Sequence, residues 1–173
     1  MSASRRGTLT TSACGVCGRQ DIADLVARCA VLPPGPRIPK ELLIESMERM
    51  TRIQPTFSHT GGVHAAAAFD RDGRALVCSE DVGRHNAVDK TVGALLFDRL
   101  VGASAGAALL TVSGRASFEI VQKAAVARIP VVASVSAASS LAVDLASDVG
   151  ITLAGFVRRK GFNLYAHPER VAQ

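Results

Sequence analysis

A chain of 173 residues, 48% of them hydrophobic, is long enough to bury one substantial core and too short for two large domains. Its 20 Lys and Arg against 15 Asp and Glu leave a net charge of +5, which suits an anionic partner; aromatic residues at 4%, with no tryptophan, argue against a stacking platform for nucleic acid. Charges, glycines and serines interrupt every apolar run before it reaches membrane-spanning length, and the polar residues after Arg5-Arg6 do not form the apolar core of an export signal, so a cytoplasmic, reducing setting with no membrane partner is expected.

A polar lead over residues 1–12 opens onto Ser12-Ala13-Cys14-Gly15-Val16-Cys17-Gly18. Two thiols three residues apart among small residues make a candidate sulfur-handling site, because thiolate is the nucleophilic form of cysteine and a neighbouring thiol or a cation such as Arg19 favours it. Gly15 and Gly18 leave the loop open to a partner. A structural zinc site would need four ligands; His59 and His64 are available to complete one with Cys14 and Cys17, though nothing in the spacing requires it. A Cys14–Cys17 disulfide is open as a redox state. Cys29 and Cys78 stand singly and read as small buried hydrophobes.

A helical pattern over 21–29 is broken by Pro33-Pro34-Gly35-Pro36 and Pro39, and residues 40–53 then place Leu43, Ile44, Met47 and Met50 on one helical face as core. Beyond residue 56 the pattern gives a strand over 63–69, the turn Asp70-Arg71-Asp72-Gly73, a strand over 74–79 and a helix over 85–100. A strand over 107–112, a helix over 117–127, a strand over 131–136, a helix over 139–149 ended by Gly150, and a last strand over 151–157 complete it. This order predicts an α/β fold: a three-layer α/β/α arrangement around a mixed sheet. Residues 1–55 form the thiol loop and helical lead and 56–173 the core, within one compact domain.

Ligands of open α/β sheets sit beyond the carboxyl ends of the strands, where four polar clusters fall. The first is His59-Thr60-Gly61-Gly62-Val63-His64; the second runs Glu80-Asp81-Val82-Gly83-Arg84-His85-Asn86 and on to Asp89-Lys90. Ser113-Gly114-Arg115 and Ser136-Ala137-Ala138-Ser139 follow later strands. The plainer alternative for the second cluster is a solvated helix start with Arg84 paired to a carboxylate; for Ser113 and Ser136 it is a turn or cap. For His64 it is a satisfied histidine; the density of unlike polar groups at the second cluster points to a site or a subunit contact, and as a site the clusters offer His64, Arg84, His85, Ser113 and Arg115 as candidate cofactor-binding residues.

The order and spacing of these segments resemble the formate dehydrogenase accessory sulfurtransferase family, FdhD. The resemblance is carried by Cys14-Gly15-Val16-Cys17-Gly18, Thr60-Gly61-Gly62-Val63-His64-Ala65-Ala66, the run from Glu80 to Lys90, Ser113-Gly114-Arg115 with Phe118-Glu119, Lys123-Ala124, Ser136-Ala137 with Leu141-Ala142-Val143, and Gly155-Phe156. It implies a cytidine-deaminase-like fold. Deaminase chemistry is not expected, because His64 is followed by Ala65-Ala66 where a zinc deaminase needs His-x-Glu, and no Cys-x-x-Cys follows downstream.

The resemblance further implies a homodimeric sulfurtransferase that takes sulfur as persulfide from a cysteine desulfurase and passes it to the molybdenum or tungsten bis-pyranopterin guanine dinucleotide cofactor, needed for formate dehydrogenase. That cofactor is a bound substrate, and no resident metal is implied. Cys14 would bear the persulfide and Cys17 would be the auxiliary thiol. Phe156, Val157, Arg158, Arg159, Lys160 and Gly161 match the family's cofactor-binding segment; three cations and a glycine suit a pyrophosphate, and the ring suits packing. Family members usually carry a further region before the thiol loop, whereas this sequence starts almost at that loop. A cofactor-binding chaperone without sulfur transfer is therefore the alternative expectation.

Overall fold

In a computed structural model the described residues are 29, 31–35, 37–101 and 106–172. Cys14, Cys17, Arg19 and the helical pattern before Cys29 lie outside them. The elements are β1 (Ile38–Pro39), α1 (Lys40–Arg52), α2 (Pro55–Thr60), β2 (His64–Phe69), β3 (Ala75–Asp81), α3 (Arg84–Phe97) and β4 (Leu109–Val112). Then come α4 (Phe118–Val126), β5 (Val131–Ser134), α5 (Ser140–Val149), β6 (Thr152–Arg158), β7 (Gly161–Ala166), a 3-10 turn (Pro168–Arg170) and β8 (Val171–Ala172).

Six strands form one sheet in the order β3-β2-β4-β5-β6-β7, and β1 pairs in parallel with β8 in a separate two-stranded ribbon. Alternation along β4 and β5 divides the core into two layers. Leu110, Val112 and Val132 face Val88, Leu95, Val121 and Leu145 from the helices α3, α4 and α5. Leu109, Val131 and Ala133 face Leu43, Met47 and Met50 of α1 on the other side. The period of two along each strand sends neighbouring residues to opposite layers, so both faces are apolar and both are covered. Ala65, Ala66, Ala67 and Ala68 of β2 are all buried, small enough for helices to approach the sheet from both sides.

α1 exists because apolar residues recur at helical spacing, with Glu41 in its first turn and Arg49 and Arg52 in its last, each matched to the helix dipole. Its buried face is Leu42, Leu43, Ser46, Met47 and Met50; Ile44 is only half-buried, so the face is rotated from the predicted one by about one residue. Pro55 stops it, since the residue before proline avoids the helical region. The β2–β3 turn is knotted by Asp70, whose carboxylate accepts from the amides of Asp72 and Arg74. Arg49 of α1 donates to the Gly73 carbonyl at 2.6 Å, tying the turn to the helix.

Several elements and boundaries differ from the sequence reading. The strand over 151–157 is not the last: β6 turns back through β7, an antiparallel edge strand whose half-exposed residues alternate too weakly to signal a strand. The helix expected over 85–100 runs from Arg84 to Phe97. α2 was unforeseen, because none of its side chains is buried and it has no apolar stripe.

Two glycines make opposite predictions. Gly150 ends α5 at φ +74°, and a Cβ there would stand 2.6 Å from the Leu32 carbonyl oxygen, so Gly150→Ala should destabilise the fold by more than the roughly 1–2 kcal/mol of left-handed strain alone. Gly93 lies within α3, where an added methyl would meet nothing within 4 Å, so Gly93→Ala should stabilise by about 0.5–1 kcal/mol. Urea unfolding of both variants measures the pair.

Candidate functional site

β2 runs antiparallel to both β3 and β4, while β4, β5 and β6 are mutually parallel. The carboxyl ends of β3, β4, β5 and β6 therefore share one edge with the amino end of β2. The helices α3, α4 and α5 each follow one of these strands, so their positive N-terminal ends begin there too. All four polar clusters converge on this edge.

At its centre the Ser113 hydroxyl accepts from the Ala65 amide at 2.9 Å and lies 3.5 Å from His64 Nδ1, while the Ser113 amide donates to the Ala65 carbonyl at 3.0 Å. A Cβ on Gly114 would meet Arg84 Cδ at 3.3 Å and His64 Nδ1 at 3.5 Å, so the bare backbone of Gly114 is what lets His64, Ser113 and Arg84 close on one point. Arg84 is not paired with a carboxylate as the solvated reading required. Among the described residues it forms no ion pair, and its Nε is buried without an acceptor.

The carboxylates nearby are all committed elsewhere. Asp81 takes Lys90 Nζ at 2.6 Å, the Gly83 amide at 2.9 Å and Asn86 Nδ2 at 3.1 Å, in that order of influence holding its pKa down to about 2. Asp89 pairs with Lys123 at 2.6 Å. Glu119 meets His85 Nδ1 at 2.9 Å, and His85 Nε2 lies 2.9 Å from Ser117 Oγ. Burial lowers the His85 pKa below its ordinary 6.5, outweighing the Glu119 charge that raises it, with Arg84 and Lys123 adding to the lowering. The ring is then neutral at pH 7; Nδ1–H donates to the carboxylate, and Nε2 accepts the Ser117 hydroxyl. Ser117 occupies the N-cap of α4 without capping it, whereas Ser139 at the equivalent place in α5 accepts from the Ala142 amide. Neither Ser117 nor Glu119 was singled out as a site residue in the sequence; the signal, a serine two residues before a glutamate at a helix start, is indistinguishable there from ordinary capping.

A cleft of about 400 Å³ opens beside His64 and Ser113, walled by Met50, Gln54, Phe57 and Val135 and floored by Gly61-Gly62. Its outer wall is α2, whose first amides, those of Thr56 and Phe57, donate to the two Glu80 oxygens at 2.9 and 2.8 Å. Desolvation works to raise the Glu80 pKa, and these two amide bonds overcome it, leaving the carboxyl below its ordinary value.

The segment Phe156 to Gly161 forms the β6–β7 hairpin at the same edge, beside β5, and does not line the cleft. Gly155 packs so closely that a Cβ would stand 2.7 Å from Tyr165 Cε2, and Phe156 adopts φ +53° at the adjoining irregularity. This turns its ring outward, 46% exposed, at a conformational cost that its core neighbours sustain. Val157 is buried and Lys160 is exposed. Arg158 donates to its neighbouring carbonyl, that of Val157, and Arg159 reaches Glu48 of α1 at 3.3 Å. Arg115 is exposed on the loop after Gly114.

Of the two remaining thiols Cys29 is buried as expected, whereas Cys78 is only half-buried, because it sits on the edge strand β3. Cys29 is buried, with its pKa raised by burial; Cys78 is pushed up to about 11, chiefly by burial and then by Glu80. Among the described residues no three His, Cys, Asp or Glu side chains gather as a metal site, and no helix is long and apolar enough to cross a membrane.

Residues 2–172 match the FdhD/NarQ family. The chain is 56% identical over 171 residues to the sulfur carrier protein FdhD of Anaeromyxobacter dehalogenans strain 2CP-C, covering 96% of this chain and 59% of that protein. It is 52% identical over 163 residues to the sulfur carrier protein FdhD of Thermoplasma acidophilum, covering 94% and 57%. The chain belongs to the FdhD/NarQ family. A crystal structure of a protein described as a formate dehydrogenase accessory protein, from Desulfotalea psychrophila, superposes with a TM-score of 0.75 at 32% identity over 86% of this chain and 62% of that one. The chain thus spans somewhat under six tenths of the length of these two curated FdhD relatives.

The motifs that carry the FdhD resemblance therefore occupy one edge of the sheet, with the exception of the thiol loop, which lies outside the described residues. Within that edge His64 and Ser113 meet, Arg84 packs against the same Gly114 backbone, His85 is turned into its own network with Ser117 and Glu119, and the basic hairpin stands one strand beyond the cleft.

The His85 network has a pH signature. Its lowered folded pKa means the unfolded chain binds the proton first, so the His85 contribution to stability is present above about pH 6.5 and is lost as pH falls below that value through the folded pKa. Ring ¹H–¹⁵N NMR should find a neutral, Nδ1-protonated His85 at pH 7. Glu119→Gln, which removes a charge that raises this pKa, should move the midpoint lower still; a midpoint moving upward would contradict the assignment.

Proposed function

We propose that this chain carries sulfur as a persulfide on Cys14 and passes it to an anionic molybdenum or tungsten bis-pyranopterin guanine dinucleotide held along the strand-end edge, in the service of formate dehydrogenase. Family membership and the names of the relatives support the sulfur-carrying part of this reading. The observation that carries the anion-binding part is Arg84: its guanidinium Nε is buried without a partner at the point where His64, Ser113 and the bare Gly114 backbone meet. Every neighbouring carboxylate is already tied to another group, so the unused donor is left for a ligand. Three helix N-termini and the cations Arg158, Arg159 and Lys160 add positive charge along the edge, where the four acids are already paired or hydrogen-bonded.

The chemistry is thiol exchange. A Cys14 thiolate attacks the outer sulfur of a desulfurase persulfide; the S–S bond of the donor breaks, its cysteine leaves as thiolate, and Cys14 holds the terminal sulfur. Attack by the Cys17 thiolate on the inner sulfur then forms a Cys14–Cys17 disulfide and releases the outer atom as hydrosulfide, the two thiols supplying the two electrons. In this reading the chain acts as a homodimer in the cytoplasm. The outer side of β3, which has no strand partner among the described residues, offers a surface for the second copy.

Intact-mass spectrometry after incubation with a cysteine desulfurase and cysteine should find a sulfur adduct on the wild type and none on Cys14→Ala; an adduct on both, or on neither, rejects the carrier role. Independently, Arg84→Gln should weaken binding of guanosine diphosphate about ten-fold or more, the effect of losing one charge-assisted hydrogen bond. Loss of the adduct with retained nucleotide binding would favour the cofactor chaperone.

A further inference from the structure

Arg170 lies at the opposite edge of the sheet, where the parallel strands begin. Only 5% of the residue is exposed. Its Nη1 donates to the Gly150 carbonyl at 2.8 Å, to Thr152 Oγ1 at 3.1 Å and to the Pro130 carbonyl at 3.4 Å, and its Nη2 to the Pro33 carbonyl at 3.1 Å. These bonds clamp the segment before β1 onto the starts of β5 and β6. They employ only the two terminal nitrogens. Nε is buried and has no acceptor among the described residues.

No carboxylate among the described residues is paired with this charge. Arg170 forms no ion pair among the described residues, and its chain neighbour Glu169 is 2.8 Å from His167 Nδ1. A cavity of about 210 Å³ is lined by Pro34, Gly35, Arg37, Glu169 and Arg170. A Cβ built on Gly35 would lie 3.9 Å from Nε, so the glycine leaves space at that nitrogen that a larger side chain would fill. Arg37, a second arginine, is exposed and lines the same cavity.

We propose that this cavity binds a small phosphate-type oxyanion, accepting from Arg170 Nε–H and paired with Arg37. A clamp alone would need neither the Nε donor nor Arg37. Glu169, the carboxylate in the lining, is engaged by His167 and forms no ion pair with Arg170; a buried guanidinium with one unsatisfied N–H and no paired carboxylate is completed by an anion, and guanidinium groups match the oxygens of phosphate in geometry. The cavity has room for a phosphate or a small phosphomonoester and not for a dinucleotide, which separates this site from the strand-end edge. The inference does not depend on the proposed sulfur transfer.

The test is arginine side-chain NMR on the whole chain labelled with ¹⁵N-arginine, titrated with inorganic phosphate at ionic strength held constant with potassium chloride. The Arg170 Nε–Hε resonance should shift saturably, with a midpoint in the millimolar range or below. Arg37→Gln, a change at an exposed position, should weaken the midpoint at least about three-fold, and Gly35→Val, which fills the cavity beside Nε, should abolish the shift. Thermal unfolding should rise with phosphate in the wild type and not in Gly35→Val. An Nε resonance unmoved by about 50 mM phosphate, or a midpoint unchanged in both variants, overturns the proposal.

Discussion

The seam between β2 and β4 is the constraint on which the site depends. Because β2 runs against both of its neighbours, its first residue, His64, meets the end of β4 and not its beginning. Ser113 fastens the seam from both sides, its amide to the Ala65 carbonyl and its hydroxyl to the Ala65 amide. A parallel β2 would have carried His64 and the Gly61-Gly62 loop to the far edge, leaving Arg84 beside nothing it could serve. The run of alanines in β2 follows from the same position: the strand lies between α1 on one face and α3 on the other, and larger side chains would lift the helices away.

Charge pairing around this seam is selective. Each of four acids near the edge is engaged by a different partner, Asp81 by Lys90 and the turn into α3, Asp89 by Lys123, Glu119 by His85, and Glu80 by α2. Exposed pairs of this kind contribute little stability, since water screens them. Their effect is one of allocation. With every carboxylate engaged, Arg84 retains its donor, and an anion arriving at the edge meets no internal competitor there. Arg159 differs: Glu48 holds it, so an incoming phosphate must displace a carboxylate at the hairpin but not at Arg84.

Much of this was legible in the sequence, because strong periodicity survives into the fold. The apolar runs of β4 and β5, the helical face of α1, the Asp70 turn and the Gly150 stop are each dictated by local pattern or local backbone geometry, and they stand within a few residues of where the spacing puts them. What could not be read depends on contacts far apart in the chain. α2 is fixed by a carboxylate from β3, some 24 residues on. β7 is an edge strand with no buried face to advertise, and β1 and β8 exist only as partners of each other. At the site, the sequence placed Arg84 in a polar cluster but could not say whether it was paired. It offered His85 as a ligand although both ring nitrogens are occupied within the protein.

The cleft wall illustrates how the two kinds of information combine. α2 buries none of its side chains fully, so little hydrophobic burial fixes its position against the sheet. It is held at its start by the two Glu80 oxygens, and it leaves through Gly61 in the left-handed conformation with open space around it. A segment secured at one end by hydrogen bonds to a charge, and at the other by a glycine, belongs to the low-stability part of a structure, from which ligand-binding elements are drawn. The inner wall is the reverse: Met50 is fully buried in the core, and Thr111 reaches its sulfur at 3.2 Å. One side of the cleft is thus as rigid as the sheet and the other hangs from a carboxylate. That asymmetry sets the less firmly held wall opposite His64 and Ser113, which stay in register with the strands.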